Sequence, residues 1–361
     1  METVVNKQQL IKAYSGKKVF VTGHTGFKGT WLSILLNILG AEVKGYALAP
    51  EHNDSIFSLT EPLSGSSSVI ADIRNKEKLK SEISRFAPDY IFHLAAQPLV
   101  RLSYQIPAET FEVNAIGTAN LLEALAGLNK KCTTVIVTTD KVYENKEQDI
   151  LYKEEDRLGG YDPYSASKAC TEIVVDSFRN SFFNTSTYSI HQKAIASARA
   201  GNVIGGGDFS KDRIIPDIVQ ALQNNQPISV RNPQAVRPWQ HVLEPLTGYL
   251  LLASRLNEDL QFSGAYNFGP QPEDHLPVKE LVALSIKTWG NGTWIDQSDK
   301  TQPHEATLLK LDIQKAINRL SWTPKMEAAV AIGKTLDWYK NVQSENALAY
   351  TQQQIEDYLA L

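Results

Sequence analysis

Cysteine is nearly missing from this 361-residue chain: Cys132 and Cys170 are its two cysteines, too few for a disulfide framework and without CxxC spacing. No basic block suggests a nucleic-acid surface and no acidic tail suggests a disordered partner arm, since Lys plus Arg number 36 against 40 Asp plus Glu, a net charge of −4. No apolar run approaches the roughly 20 residues that span a bilayer. Met1 to Tyr14 is polar and mixed in charge, with no signal-peptide core. No His/Cys/Asp spacing suggests a metal, and no Ser–His constellation suggests hydrolysis. Internal repeats and low-complexity segments are lacking too. These absences leave, most simply, a soluble cytoplasmic protein without nucleic-acid or membrane partners. Its 42% hydrophobic content can bury one large or two coupled domains.

Glycines are grouped where they direct the chain. Lys18-Val19-Phe20-Val21-Thr22 is a short apolar, β-branched run that reads as a buried parallel strand. It leads into Gly23-His24-Thr25-Gly26-Phe27-Lys28-Gly29, where glycines permit a tight turn and a close approach of backbone N–H groups to a diphosphate. The apolar run Trp31 to Leu39 then predicts a helix whose positive end faces that anion. Gly40 stops it, and Ala41 to Tyr46 reads as the next strand. A glycine triplet alone also arises for structural reasons, but strand, turn, helix and strand within about 30 residues make the dinucleotide-binding unit.

Alternation continues beyond it. After a loop from Ala49 to Ser68, Val69 to Ile73 reads as a strand and Asn75 to Phe86 as an amphipathic helix. Asp89 to Ala96 reads as a buried strand, Thr110 to Leu128 as one long helix, and Thr133 to Thr139 as a β-branched strand. The pattern predicts an α/β fold, a doubly wound parallel sheet of Rossmann type with a smaller C-terminal lobe. Gly23, Ala96 and Thr139 would gather at the strands' C-terminal ends, where such sheets bind ligands.

Tyr164 and Lys168, four residues apart, share a helix face. A phenol near a fixed ammonium has its pKa lowered, which suits Tyr164 to acid–base work near neutral pH. Tyr-x-x-x-Lys also arises by chance on surface helices, so its weight comes from the dinucleotide unit and the Thr139-ended strand before it.

These motifs resemble the extended short-chain dehydrogenase/reductases over nearly the full chain. The resemblance rests on Gly23, Gly26 and Gly29, Asp72-Ile73 at the adenine-contacting place, Ala95-Ala96-Gln97, Asn114, Thr139, and Tyr164 with Lys168. Gly23 to Gly29, Gln97-Pro98-Leu99-Val100-Arg101-Leu102-Ser103-Tyr104, Thr139-Asp140-Lys141 and Arg237-Pro238-Trp239-Gln240-His241-Val242 resemble nucleotide-sugar 4,6-dehydratases in particular. That resemblance implies NAD as cofactor and CDP-glucose as substrate, in bacterial 3,6-dideoxyhexose synthesis. It implies that Tyr164 takes the C4 hydroxyl proton, that Lys168 holds the nicotinamide ribose, and that Thr139 bonds the C4 oxygen. Asp140 would protonate the departing C6 hydroxyl if burial raises its pKa. Related enzymes carry Glu where this chain has Lys141, which is either a neutral base, a cation stabilising the enolate, or an exposed loop lysine.

The second strand ends in Tyr46-Ala47-Leu48, without the usual acid for the ribose hydroxyls; Glu51 is the nearest, and no Arg awaits a 2′-phosphate. This favours NAD at modest affinity. His24 and Phe27 belong to the same glycine turn, and Lys28 either reaches the diphosphate or points to solvent. For the substrate, the resemblance implies Ser103, Tyr104, Asn202 at the diphosphate, Arg213, Arg231, Arg237 and His304. Residues 15–200 with about 237–270 would hold the dinucleotide, and 201–236 with about 271–350 the sugar nucleotide. A homodimer or higher oligomer would form through Thr110 to Leu128 and Tyr164 to Phe182. A 4-epimerase or simple reductase is the alternative on the same scaffold, disfavoured by Asp140-Lys141. A non-catalytic NAD-sensing protein is disfavoured by the intact Thr139, Tyr164 and Lys168.

Overall fold

The computed structural model describes residues 7–50, 52–210, 212–298, 308–343 and 345–361. Its centre is a seven-stranded sheet in which every neighbouring pair is parallel. The first strands are β1 (Lys18–Thr22), β2 (Glu42–Ala47), β3 (Ser68–Ile70), β4 (Tyr90–His93) and β5 (Cys132–Val137). The two-residue β6 (Leu151–Tyr152) lies outside the sheet, and β7 (Lys193–Ala200) returns to it. The spatial order is Gly264–Phe268, β7, β5, β4, β1, β2, β3. The chain therefore walks outward from β1 to β3, then restarts on the other side at β4. That reversal opens a crevice above the C-terminal ends of β1 and β4.

Both faces are apolar because successive side chains alternate across the sheet. Val19 and Val21 join one buried cluster with Trp31, Leu32 and Leu35, whereas Phe20 joins the other with Leu79, Ile83 and Leu121. The first face carries α2 (Phe27–Ile38) and the largely buried helix Leu243–Glu258; the second carries α4 (Lys76–Phe86). The expected doubly wound sheet is the observed one.

Two elements differ from the expectation. The strand expected over Val69 to Ile73 ends at Ile70, and Ala71 to Ile73 form a loop along the crevice. The single helix expected over Thr110 to Leu128 is three pieces: Pro107–Phe111, one π turn at Glu112–Ile116, and Gly117–Ala126. The π turn leaves backbone oxygen to spare at Asn114, whose carbonyl accepts from both Thr118 Oγ1 (2.7 Å) and Thr171 Oγ1 (3.0 Å). Such bulges collect at functional sites.

The C-terminal helices Ala328–Asn341 and Ala347–Ala360 fold back over the first half, where α1 (Lys7–Tyr14) pairs Lys7 with Glu356. Glu244 fixes this return: its Oε1 accepts from the Lys325 and Met326 amides at 2.9 and 2.7 Å, and its Oε2 from Tyr358 Oη at 2.7 Å. Burial pushes its carboxyl up to about 7 against those donors. The native protein thus holds a proton that the unfolded chain releases at the ordinary carboxylate value near ~4.3. This contribution is full below that value and lost as pH rises to about 7. Glu244→Gln should therefore gain stability relative to wild type between pH 5 and 8, read as converging thermal midpoints; a constant offset would refute it. No helix among the described residues is long and apolar enough to cross a membrane.

Candidate active site

The crevice opens into a cavity of about 1040 Å³. Its floor begins where β1 ends. Thr22 Oγ1 accepts from the Leu94 and Ala95 amides, both at 3.1 Å, tying β1 to β4. At Gly23 the chain turns with φ +75°, and a Cβ would lie 2.7 Å from the Ala95 amide nitrogen, so a side chain is excluded twice over. At Gly29 a Cβ would meet Gly23 O at 2.0 Å, which lets α2 start hard against the turn. Gly26 caps α2 without a side-chain bond, leaving first-turn N–H groups to face the cavity.

His24 departs from the expected cofactor role. Its ring is fully buried, bonded to Ser68 Oγ at 2.8 Å, edge-on to Phe57, and pressed where a Gly45 Cβ would stand, 2.2 Å away. It packs under the turn, and burial lowers its pKa to about 4. Lys28 instead points inward, lining the cavity with Phe27. Its residue surface is partly accessible through the cavity, yet its ammonium is enclosed. Burial, Arg213 and Lys168 together push it down to about 7, with Asp140 opposing.

Across the cavity, β5 delivers Thr139 and Asp140. Thr139 Oγ1 donates to Asp140 Oδ1 at 2.9 Å and accepts from the Lys141 amide at 3.4 Å. Asp140 is buried, with Oδ2 unbonded among the described residues, and Lys141 Nζ lies 3.9 Å from its Oδ1. The helix α8 (Pro163–Ser181) supplies Tyr164 and Lys168. Asp162 caps it through the Ser165 amide at 2.9 Å, and Ser103 Oγ accepts from the Tyr164 amide at 3.1 Å. The Tyr164 phenol is raised by burial here, not lowered as the sequence suggested. Lys168 Nζ donates to Val137 O at 3.3 Å, and burial brings it down to about 8 while Glu172 opposes. Burial pushes Tyr164 up to about 12, against a hydrogen bond with Thr139 and the charge of Arg213.

The remaining expected residues divide. Asp72, Ile73, Ala95 and Ala96 line the cavity, as do Asn202, Arg213, Arg231 and Arg237. Asp72 bonds Arg74, whose guanidinium holds its carboxyl below the usual range. Gln97, Asn114, Ser103 and Tyr104 do not line it. Asn114 Oδ1 instead accepts from the Gln97 amide at 2.8 Å, and its Nδ2 donates to Ser167 Oγ at 2.8 Å, bracing the loop after β4 against α8. His304 and Glu51 lie outside the described residues. Sequence reading passed over Arg101, which lines the cavity and pairs with Asp212 at 3.7 Å, although it stands inside the Gln97 to Tyr104 motif.

The family model described as GDP-mannose 4,6 dehydratase matches residues 20–335. The chain belongs to this family. CDP-glucose 4,6-dehydratase of Salmonella typhimurium is 47% identical over 350 residues, covering 96% of this chain and 97% of that protein. CDP-paratose 2-epimerase of Salmonella typhi is 27% identical, over 90% and 100% of the two chains. Among solved structures, a dTDP-glucose 4,6-dehydratase from Streptomyces venezuelae with NAD bound has a TM-score of 0.76 at 22% identity, covering 90% of this chain and 97% of that one. At that identity the likeness speaks to the fold.

The cavity of this dehydratase-family chain fits a dinucleotide on its own geometry. The turn at Gly23 to Gly29, with glycine where a side chain would block close approach, leaves the first-turn amides of α2 facing the cavity, and the crevice continues past Tyr46 and Leu48 to Asp72 and Ile73. Among the described residues no group of His, Cys, Asp and Glu could hold a metal ion.

Proposed function

We propose that this enzyme converts CDP-glucose to CDP-4-dehydro-6-deoxyglucose with NAD as its bound cofactor. One observation carries the reading: a buried carboxylate, Asp140, keeps an unbonded oxygen at the cavity beside Thr139 and Tyr164. Oxidation or epimerisation at C4 needs no such acid; elimination of water does. The base is read from the relative at 47% identity.

Bound NAD supplies reversible hydride acceptance, so oxidation at C4 and reduction at C6 leave it unchanged overall. Tyr164 removes the C4 hydroxyl proton while Thr139 bonds the C4 oxygen. Lys168 holds the nicotinamide ribose. The 4-keto group acidifies C5, and Asp140 protonates the C6 hydroxyl as it leaves. Lys141, one-quarter exposed beside Asp140, takes the C5 proton when neutral or steadies the enolate as a cation. Arg213, Arg231 and Arg237 receive the substrate's phosphates and ribose. Residues 15–200 with about 237–270 hold the dinucleotide, and the intervening and following segments the sugar nucleotide. A cytoplasmic homodimer or higher homo-oligomer completes the reading, supported by Ile116, Ile173 and Phe182, apolar yet more than half exposed on the two expected helices; sedimentation as a monomer would remove it.

Proton NMR of CDP-glucose and NAD in deuterated water tests the reaction. A new C6 methyl with deuterium at C5 and no net NADH is expected. CDP-galactose would mean epimerisation, turnover of dTDP- or GDP-sugars alone would overturn the base, and no turnover of any sugar nucleotide would return the binding-protein reading.

A further inference from the structure

In the cavity wall, the loop Gly205-Gly206-Gly207 is packed until its backbone has nowhere to go. A Cβ on Gly206 would stand 1.9 Å from the Trp338 ring, and one on Gly207, where φ is +79°, 2.5 Å from Ile56. Trp31 Nε1 donates to Gly206 O at 2.9 Å. The loop therefore rests on α2, on the short helix Ile56–Thr60 and on the helix Ala328–Asn341 at once. It delivers Asp208, a buried residue whose carbonyl accepts from Tyr339 Oη at 2.6 Å. The Asp208 carboxylate is divided: Oδ1 accepts from the Ser210 amide at 3.1 Å, and Oδ2 from Arg213 Nη1 at 3.2 Å.

Arg213 lines the cavity with its side chain one-third exposed, and among the described residues Asp208 is the partner of its five donors, through Nη1 alone. Such a guanidinium is held at one corner and open elsewhere, the arrangement that receives an anion without first paying to order the side chain. The charge lies within electrostatic reach of both Lys28 and Tyr164, so its position bears on both ends of the site.

We propose that Asp208 is a positioning residue for the substrate's diphosphate: the packed glycine loop and Tyr339 fix Asp208, and its carboxylate fixes Arg213. The inference rests on the nucleotide-sugar reading above and extends it to a residue that acts through Arg213. Asp208 differs from a merely structural acid in that one oxygen already satisfies the loop, while the other is committed to the arginine.

Asp208→Asn keeps the Ser210 contact and removes the charge that anchors Arg213. Inhibition by CDP and by cytidine, together with KM and kcat for the sugar nucleotide, should be measured for wild type, Asp208→Asn, Arg213→Ala and the double variant. In Asp208→Asn, CDP binding and KM should weaken roughly tenfold, with cytidine binding and kcat nearly unchanged. The double variant should bind CDP no worse than Arg213→Ala, because the two act as a unit. Asp208→Asn binding CDP like wild type, equal losses for CDP and cytidine, or multiplying losses in the double variant would each overturn the proposal. So would an Arg213→Ala variant that binds CDP normally. If the wild type prefers GDP or dTDP, the base assignment fails separately, and the same comparison with that diphosphate still decides Asp208.

Discussion

Tyr164→Phe is expected to lower kcat by roughly 10²–10⁴-fold, the usual worth of a positioned proton-transfer group, while NAD binding persists. The phenol is buried at the cavity wall, bonded to Thr139 and within reach of the Arg213 charge. Tyr164 is the one tyrosine of α8, and Tyr161, in the loop before that helix, is largely exposed. Phe retains the ring that packs against the cavity, so stability should change little and the loss should fall on chemistry. Single-turnover absorbance at 340 nm would read it directly: the transient reduced cofactor should vanish along with product. Burial pushes this phenol up to about 12 in the free enzyme, so wild-type activity should climb with pH across the neutral range before other groups intervene. A variant that retains turnover would remove Tyr164 from the reaction.

What the sequence made legible is what local pattern encodes. The β1 strand, the glycine turn and α2 follow from period, breaker and apolar run, and they appear within a few residues of where they were expected. The π turn at Glu112–Ile116 was not legible, because one inserted residue leaves the helical pattern intact. Side-chain direction in the turn was hidden too. Phe57 and Gly45 decide that His24 faces inward, and their approach is set by tertiary packing rather than by neighbours in sequence. Asn114 and Ser103 carried family weight and were read as ligand contacts. In the fold they brace the loop after β4 and the start of α8, a role that only their partners reveal.

Arg199 could have been found. A charged residue in the interior of the buried parallel strand β7, flanked on both sides by alanine, must be paired, and Glu172 stands one helical turn beyond Lys168. The pair is bidentate, Nε to Oε1 at 3.0 Å and Nη2 to Oε2 at 2.9 Å. Thr138 Oγ1 and Ser197 Oγ fill the remaining acceptor positions at 2.5 and 2.7 Å, and Arg199 Nη1 reaches Tyr143 Oη at 2.9 Å. Both side chains are at most 4% exposed. Glu172→Ala strands a buried guanidinium and is expected to cost about 3–5 kcal/mol, seen as a lower urea midpoint at unchanged slope. Replacing Glu172 and Arg199 together by Met should be milder than either single change, because no uncompensated charge remains. Equal losses for single and double variants would show that packing, not charge, is at stake. The pH dependence has a definite sign. The Arg199 charge and the hydrogen bonds from Arg199, Thr138 and Ser197 hold the Glu172 carboxyl below its usual value despite burial. Its contribution is therefore present above the ordinary carboxylate pKa near ~4.3 and lost as pH falls through the lowered one. Since Thr138 is bonded to Glu172 and precedes Thr139, loosening this pair should also displace Thr139, so kcat should fall in Glu172→Gln even where the protein remains folded.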